Sequence, residues 1–137
     1  MGGEIDCFLG GIGSGGTLQG VGKDLREHKP GARIVAIELK GVSALLGQEP
    51  GIHQIQSIGN GFIPAILDVK LVDEVIEVAD CDAIDTARDL GRKFGLLVGI
   101  SAGANVWGAR QLAKRIKGNL ATVPPDRVER YFSTSLL

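Results

Sequence analysis

A run of glycine and hydroxyl residues near the start of the chain could bind a phosphate group. It reads Gly10-Gly11-Ile12-Gly13-Ser14-Gly15-Gly16-Thr17, between an apolar segment, 5–9, and a segment with helically spaced apolar residues, 18–27. A glycine-rich turn that opens a helix directs several backbone N–H groups at one point, and the helix dipole adds partial positive charge there. The run therefore favours chemistry on a phosphorylated cofactor or substrate.

Other interpretations of the same run stay open at this point. Gly11 to Gly16 fits the pattern G-x-G-x-x-G, and Glu38 falls where a dinucleotide-binding domain keeps the acid that binds its ribose. A nucleotide P-loop is excluded, because no Lys-Ser or Lys-Thr pair follows the glycines. A tight strand-to-helix turn without any ligand is the third interpretation.

Strands and helices that could position this run alternate along the chain. Apolar runs predict strands at 5–9, 34–38, 74–78 and 120–123, with a further strand or buried segment at 96–98. Helical spacing predicts helices at 18–27, from Asp80 or Asp82 to Phe94, and from an N-cap at Ser101 to about Ile116. The glycine- and proline-rich stretch 41–64 is predicted to be a functional loop. The expected fold class is α/β, a mostly parallel sheet with helices on both faces.

Composition limits the classes of function. The 137 residues suffice for one domain, and a net charge of −1 gives no reason to expect a nucleic-acid partner. We see neither an apolar run that could span a membrane nor a signal peptide. Cys7 and Cys81 are expected to be reduced structural thiols in a cytoplasmic protein. With His28 and His53 as the only histidines, no metal site is expected.

Four segments together resemble the cysteine synthase (O-acetylserine sulfhydrylase) family, to which cystathionine β-synthase is closely related. The glycine run resembles the family's G-x-G-T-G-G-T. The others lie at 50–64, 95–104 and 125–134, and read PGIHQIQSIGNGFIP, GLLVGISAGA and PDRVERYFST. The resemblance covers essentially the whole chain, in order.

The resemblance implies a cofactor, pyridoxal 5′-phosphate, and the type II fold of such enzymes, a three-layer α/β/α arrangement. It implies that residues 1–137 are one domain, the C-terminal or large-domain portion of the enzyme. The implied reaction is the replacement of the acetate of O-acetylserine by sulfide to give cysteine. Alternatives are a cystathionine β-synthase-like enzyme, a non-catalytic fragment that binds phosphate or a partner, and the dinucleotide-binding domain.

The resemblance also implies roles for particular residues. The phosphate would be bound by Gly13, Ser14, Gly15, Gly16 and Thr17. The hydroxyl of Ser101 would hydrogen-bond the pyridine nitrogen without forcing it to carry a proton. The loop at 57–62, with Gly59, Asn60, Gly61 and Phe62 as its substrate-loop residues, would line the entrance over the reacting carbon. Ser57 and Asn60 depart from the family's Gly and Ala, which puts substrate specificity in doubt.

Two motifs of the family are missing from the chain. The lysine that holds the cofactor as a Schiff base, and the T-S-G-N-T-G loop that binds the substrate carboxylate, lie in the family's N-terminal half. No catalytic residue is therefore assigned, and the chain is expected to be catalytically incomplete. Its expected partners are small-molecule substrates, a second copy or a complementary N-terminal half, and serine acetyltransferase.

Overall fold

The computed structural model describes residues 2–49, 58–131, 133 and 136. Four parallel strands form one sheet: β1 (Cys7–Gly11), β2 (Arg33–Leu39), β3 (Glu74–Val78) and β4 (Leu120–Thr122), in the order β3-β2-β1-β4. The helices are α1 (Gly16–His28), α2 (Asp80–Phe94) and α3 (Ile100–Ala113). Two 3₁₀ turns lie at Val69–Leu71 and Val128–Tyr131. The expected α/β class with a parallel sheet is confirmed.

Successive strand residues point to opposite faces of the sheet, and an apolar cluster covers each face of the central strands β1 and β2. Leu9 and Ile37 belong to the apolar cluster on the side of α2 and α3. Phe8 and Ile34 belong to a second cluster, which includes Leu18 of α1. The helices therefore lie on both faces, as the pattern of the sequence predicted.

The close packing of α2 and α3 depends on a small residue. A Cβ atom at Gly103 would lie 2.1 Å from the carbonyl oxygen of Ala83 in α2. Only glycine permits this separation of the two helices. The packing fixes α3 against the sheet, and the first turns of α3 lie beside the end of β4.

Several boundaries differ from those predicted. Strand β1 runs two residues into the glycine run, because Gly10 and Gly11 pair with β2. The predicted strand at 96–98 is wrong: Leu96 and Leu97 are exposed, and Val98 makes only an isolated bridge to Arg127. These residues follow Gly95, which ends α2 in the left-handed conformation and leads the chain away from the sheet.

The N-terminus of α3 also differs from the prediction. Gly99, not Ser101, is the N-cap residue, and no side chain caps the helix there. Ser101 lies inside the first turn. A Cβ atom at position 99 would lie 2.4 Å from a carboxylate oxygen of Asp126, so the glycine is required by the close approach of that side chain.

Candidate functional site: a phosphate cradle at the start of α1

The glycine run joins β1 to α1 and leaves the N-terminus of that helix open. Gly15 is the N-cap residue, with a φ of 84°, and no side chain caps the helix. The first helical hydrogen bond runs from the N–H of Gln19 to the carbonyl of Gly15, over 2.9 Å. The amides of Thr17 and Leu18 therefore have no partner within the helix. No acidic residue lies in the first turn, so the partial positive charge there is not neutralised locally.

A cavity of about 330 Å³ opens directly onto this helix end. Its lining includes the predicted phosphate-binding residues Gly13, Ser14, Gly15, Gly16 and Thr17. The other lining residues come from neighbouring elements: Gly10, Gly11, Ile58, Asn105, Val123 and Pro125. A cavity of this size is typical of small-molecule sites, and convergent N–H groups at a helix N-terminus suit a phosphate. The structure therefore brings together the whole predicted phosphate loop.

The glycines of the loop are needed for space as well as conformation. A Cβ atom at Gly11 would lie 2.9 Å from the Cγ2 atom of Ile58 and 3.2 Å from the Oδ1 atom of Asn105. A Cβ atom at Gly15 would lie 3.2 Å from the Cβ atom of Pro64. Side chains at these positions would press on the segment at 58–67 and narrow the cavity.

The N-terminus of α3 is a second helix end without a side-chain cap, and the carboxylate of Asp126 lies beside it. The Oδ1 atom of Asp126 accepts a hydrogen bond of 2.8 Å from the hydroxyl of Ser101, and Oδ2 accepts one from the hydroxyl of Tyr131. The N–H of Gly99 donates to the backbone carbonyl of Asp126 over 3.2 Å. An anionic ligand is therefore favoured at α1 and opposed at α3.

Ser101 is not brought into the cavity with the phosphate loop. It is 1% exposed, and the described residues that line the cavity do not include it. Its hydroxyl hydrogen is donated to Asp126, so only its lone pairs are available to another group. The predicted contact with a ring nitrogen stays a prediction. With its hydrogen donated to Asp126, the Ser101 oxygen could only accept a hydrogen bond from a protonated ring nitrogen. The resemblance implied the opposite, a contact with an unprotonated nitrogen.

The predicted substrate loop lies next to the phosphate loop, and Ile58 is its one described residue in the lining of the cavity. The side-chain amide of Asn60 donates to the backbone carbonyl of Gly13 over 3.2 Å and links the two loops. Gly59 and Gly61 have positive φ values of 78° and 72°. The side chain of Phe62 is largely exposed. Ser57 and His53 lie outside the described residues.

Sequence reasoning did not identify Asn105, a buried residue that lines the cavity. Asn105 is 2% exposed, and its amide group donates to the backbone carbonyl of Val123 over 2.9 Å. Ile58, by contrast, belongs to the predicted loop at 57–62; it is 4% exposed and packs against Gly11. The signal for Asn105 was a polar residue four positions after Ser101, in a helix that is otherwise rich in small and apolar residues.

Glu38 does not match the role that a dinucleotide site would give it. It is 4% exposed, and its carboxylate accepts hydrogen bonds from the hydroxyl of Ser43 and, over 3.1 Å, from the N–H of Leu45. The carboxylate therefore stabilises the loop after β2 and is not open to a ribose.

The fold is parallel α/β, and the cradle between β1 and α1 has the size and the open helix end that suit a phosphorylated small molecule. The family model "Pyridoxal-phosphate dependent enzyme" matches residues 1–124. The chain therefore belongs to the family of pyridoxal-phosphate-dependent enzymes, whose members use pyridoxal 5′-phosphate. This membership replaces the dinucleotide hypothesis.

Relatives within the family carry specific names. A cysteine synthase of Staphylococcus aureus strain Mu50 is 46% identical over 134 residues, which are 96% of this chain and 43% of that protein. O-acetylserine sulfhydrylase isoform 3 of Entamoeba histolytica superimposes with a TM-score of 0.92 at 33% identity, over 98% of this chain and 41% of its own. An O-acetylserine-dependent cystathionine β-synthase of Helicobacter pylori superimposes with a TM-score of 0.91 at 38% identity, over 99% of this chain and 45% of its own. The chain thus spans less than half the length of these relatives.

Among the described residues, no group of three or more His, Cys, Asp or Glu side chains could hold a metal ion. None of the helices within that same part of the chain has the length and apolar character needed to cross a membrane.

Proposed function

We propose that the chain is the phosphate-binding portion of a cysteine synthase-like enzyme, which replaces the acetate of O-acetylserine by sulfide to form cysteine. One observation carries the proposal. An uncapped helix N-terminus without acidic residues opens into a cavity of about 330 Å³, in a chain 46% identical to a cysteine synthase. The proposed cofactor is pyridoxal 5′-phosphate, consistent with the family.

The residues of the cradle would bind and orient the cofactor. Its phosphate would accept hydrogen bonds from the backbone N–H groups of Thr17 and Leu18 and from the hydroxyls of Ser14 and Thr17, while the N–H of Gly16 donates to the Ser14 oxygen over 3.5 Å. When bound, the cofactor supplies an electron-withdrawing ring that stabilises negative charge on an amino-acid substrate. Asn60, through its contact with Gly13, would couple the proposed substrate loop at 59–62 to the position of the phosphate. Asp126 and Ser101 would hold the start of α3 in place.

We further propose that the isolated chain does not complete the reaction. All seven lysines lie among the described residues, and none of them lines the cavity: Lys23, Lys29, Lys40, Lys70, Lys93, Lys114 and Lys117. Large apolar side chains are exposed at Phe94, Leu96 and Leu97, and the residues of both edge strands, apart from Val78, are only partly buried. Such surface is typical of a protein that packs against further polypeptide.

Other parts of the proposal concern partners and location. The packing partner would be a complementary N-terminal half or a second copy of the chain. The substrates would be small molecules, O-acetylserine and sulfide, and serine acetyltransferase would be a partner of the assembled enzyme. The protein would act in the cytoplasm.

A second candidate differs in the nucleophile. The cystathionine β-synthase of Helicobacter pylori superimposes over 99% of this chain with a TM-score of 0.91. A homocysteine-type thiol could therefore replace sulfide on the same scaffold. Competition between sulfide and homocysteine in the assembled enzyme would discriminate the two candidates.

The first test is titration of the purified chain with pyridoxal 5′-phosphate, followed by absorbance and by phosphorus NMR. Borohydride is then added, and lysine adducts are mapped by mass spectrometry. We expect saturable binding without a specific lysine adduct, and no turnover of O-acetylserine. The Thr17→Val variant keeps the shape of the side chain but removes a hydroxyl, and it should bind more weakly.

Two results would contradict parts of the proposal. Absence of binding would refute the phosphate cradle. A specific lysine adduct, or turnover of O-acetylserine by the chain alone, would refute catalytic incompleteness while leaving the cofactor assignment intact.

A further inference from the structure

Asn105 carries a buried hydrogen-bond acceptor with no partner. Its side chain is 2% exposed, and its amide nitrogen donates to the carbonyl of Val123 over 2.9 Å. This contact fixes the orientation of the amide, because a carbonyl oxygen can only accept. The remaining atom, Oδ1, has no hydrogen-bond partner among the described residues, and it is the only buried side-chain nitrogen or oxygen among them in that state.

The unpartnered oxygen belongs to the same cavity as the phosphate cradle. Asn105 and Gly11 both line the cavity, and a Cβ atom at Gly11 would lie 3.2 Å from Oδ1. A buried acceptor without a partner is costly, and proteins satisfy nearly all such atoms. Its presence in a ligand-sized cavity indicates that a donor arrives with the ligand.

We propose that Oδ1 of Asn105 accepts a hydrogen bond from the ring of the phosphorylated ligand whose phosphate lies on the glycine run. This inference rests on the proposed function and adds a ligand-binding residue to it. The phosphate and aldehyde of pyridoxal 5′-phosphate only accept at neutral pH. The ring offers two donors, the 3-hydroxyl and a protonated ring nitrogen. Asn105 would therefore select ring forms that carry a proton.

The test compares two probes on the chain and its variants. Inorganic phosphate occupies only the glycine run, whereas pyridoxal 5′-phosphate also places a ring in the cavity. The Asn105→Leu variant has a similar side-chain size but lacks the acceptor. We expect it to bind pyridoxal 5′-phosphate about tenfold more weakly, with phosphate affinity unchanged.

The control is Thr122→Val. It removes a hydrogen bond of 2.9 Å from Thr122 to the carbonyl of Leu9, which joins β4 to β1. Thr122 does not line the cavity, so both affinities should stay at the wild-type value.

Blocked analogues identify the donor. N-methyl and 3-O-methyl pyridoxal phosphate each lack one ring donor. The wild-type chain should bind one of them about tenfold more weakly than pyridoxal 5′-phosphate. That penalty should disappear in Asn105→Leu.

The outcomes separate this inference from the proposed function. If the wild-type chain binds pyridoxal 5′-phosphate and both analogues equally, no ring donor reaches Oδ1 and this inference alone is overturned. This comparison needs only the wild-type chain, so it holds even if Asn105→Leu fails to fold. Equal loss of phosphate and pyridoxal 5′-phosphate binding in Asn105→Leu would show a structural role and would also overturn it. If wild type binds neither probe, the proposed function fails together with this inference.

Discussion

Replacing Gly15 by alanine tests whether the phosphate cradle depends on left-handed backbone at the N-cap of α1. Gly15 has a φ of 84°, a conformation that costs an L-residue about 1–2 kcal/mol. The added Cβ atom would also lie 3.2 Å from Pro64 and 3.3 Å from Leu67, closer than an ordinary contact. Together these effects should lower the free energy of unfolding by about 2 kcal/mol, roughly a 30-fold change in the folding equilibrium.

Gly16→Ala is the matched control, one residue further along the chain. Its Cβ atom would lie 3.6 Å from the hydroxyl oxygen of Ser14, an ordinary contact, and the residue is helical. Alanine is better than glycine inside a helix by up to about 1 kcal/mol, so this variant should be neutral or slightly more stable. Both variants keep the backbone N–H groups of the cradle.

The assay is thermal unfolding followed by circular dichroism, with and without phosphate. For a chain of this length, Gly15→Ala should lower the melting temperature by roughly 8 °C. The stabilisation by phosphate should also shrink, because the loop must move to relieve the strain. If Gly15→Ala melts at or above the temperature of Gly16→Ala, the argument from backbone conformation is refuted.

Three further predictions concern stability and titration. Gly103→Ala should destabilise the chain by more than about 2 kcal/mol in urea unfolding, since its Cβ atom would lie 2.1 Å from a backbone carbonyl of α2; a smaller loss would mean that α2 and α3 can separate at little cost. Burial raises the pKa of the Cys7 thiol to about 11, so iodoacetamide at pH 8 should label exposed Cys81 and spare Cys7 until the chain unfolds. The free energy of unfolding should also fall above about pH 9, because there the Cys7 thiol ionises only in the unfolded chain. The hydrogen bond from the backbone N–H of Asn119 lowers the pKa of Asp6 below its ordinary value of 3.8, so the ionised carboxylate stabilises the folded chain above that pH and loses this effect as the pH falls through the folded-state pKa. The difference in unfolding free energy between wild type and Asp6→Asn should therefore shrink in acid. A difference that is constant with pH would contradict this prediction.

The phosphate loop and the class of fold could be predicted from the sequence because both depend on local patterns. Glycines between an apolar run and a helical segment require a strand–turn–helix connection, whatever surrounds it. Buried parallel strands likewise appear as short apolar runs separated by helical segments. The run at 74–78 is observed as β3 with the predicted bounds.

The local signal failed where distant contacts decide the outcome. The apolar run at 96–98 has the composition of a strand, yet no strand of the sheet lies beside it, and it ends as an exposed connection. Ser101 has the residue type of an N-cap, but Asp126, 25 positions later, takes its hydroxyl hydrogen. Gly99 is the N-cap instead, and Ser101 lies in the first turn of α3.

The sequence by itself determined the parallel α/β fold, the glycine cradle and the family of pyridoxal-phosphate-dependent enzymes. Only the tertiary structure decided which helix N-terminus is free to receive an anion and which polar group faces the cavity. Asp126 closes one helix end, and the packing of α3 beside β4 leaves the oxygen of Asn105 unpartnered at the other site. The charge at a helix end and the hydrogen-bond partners of a buried side chain depend on groups that are far apart in the chain. The packing of the helices decides which of these groups come into contact.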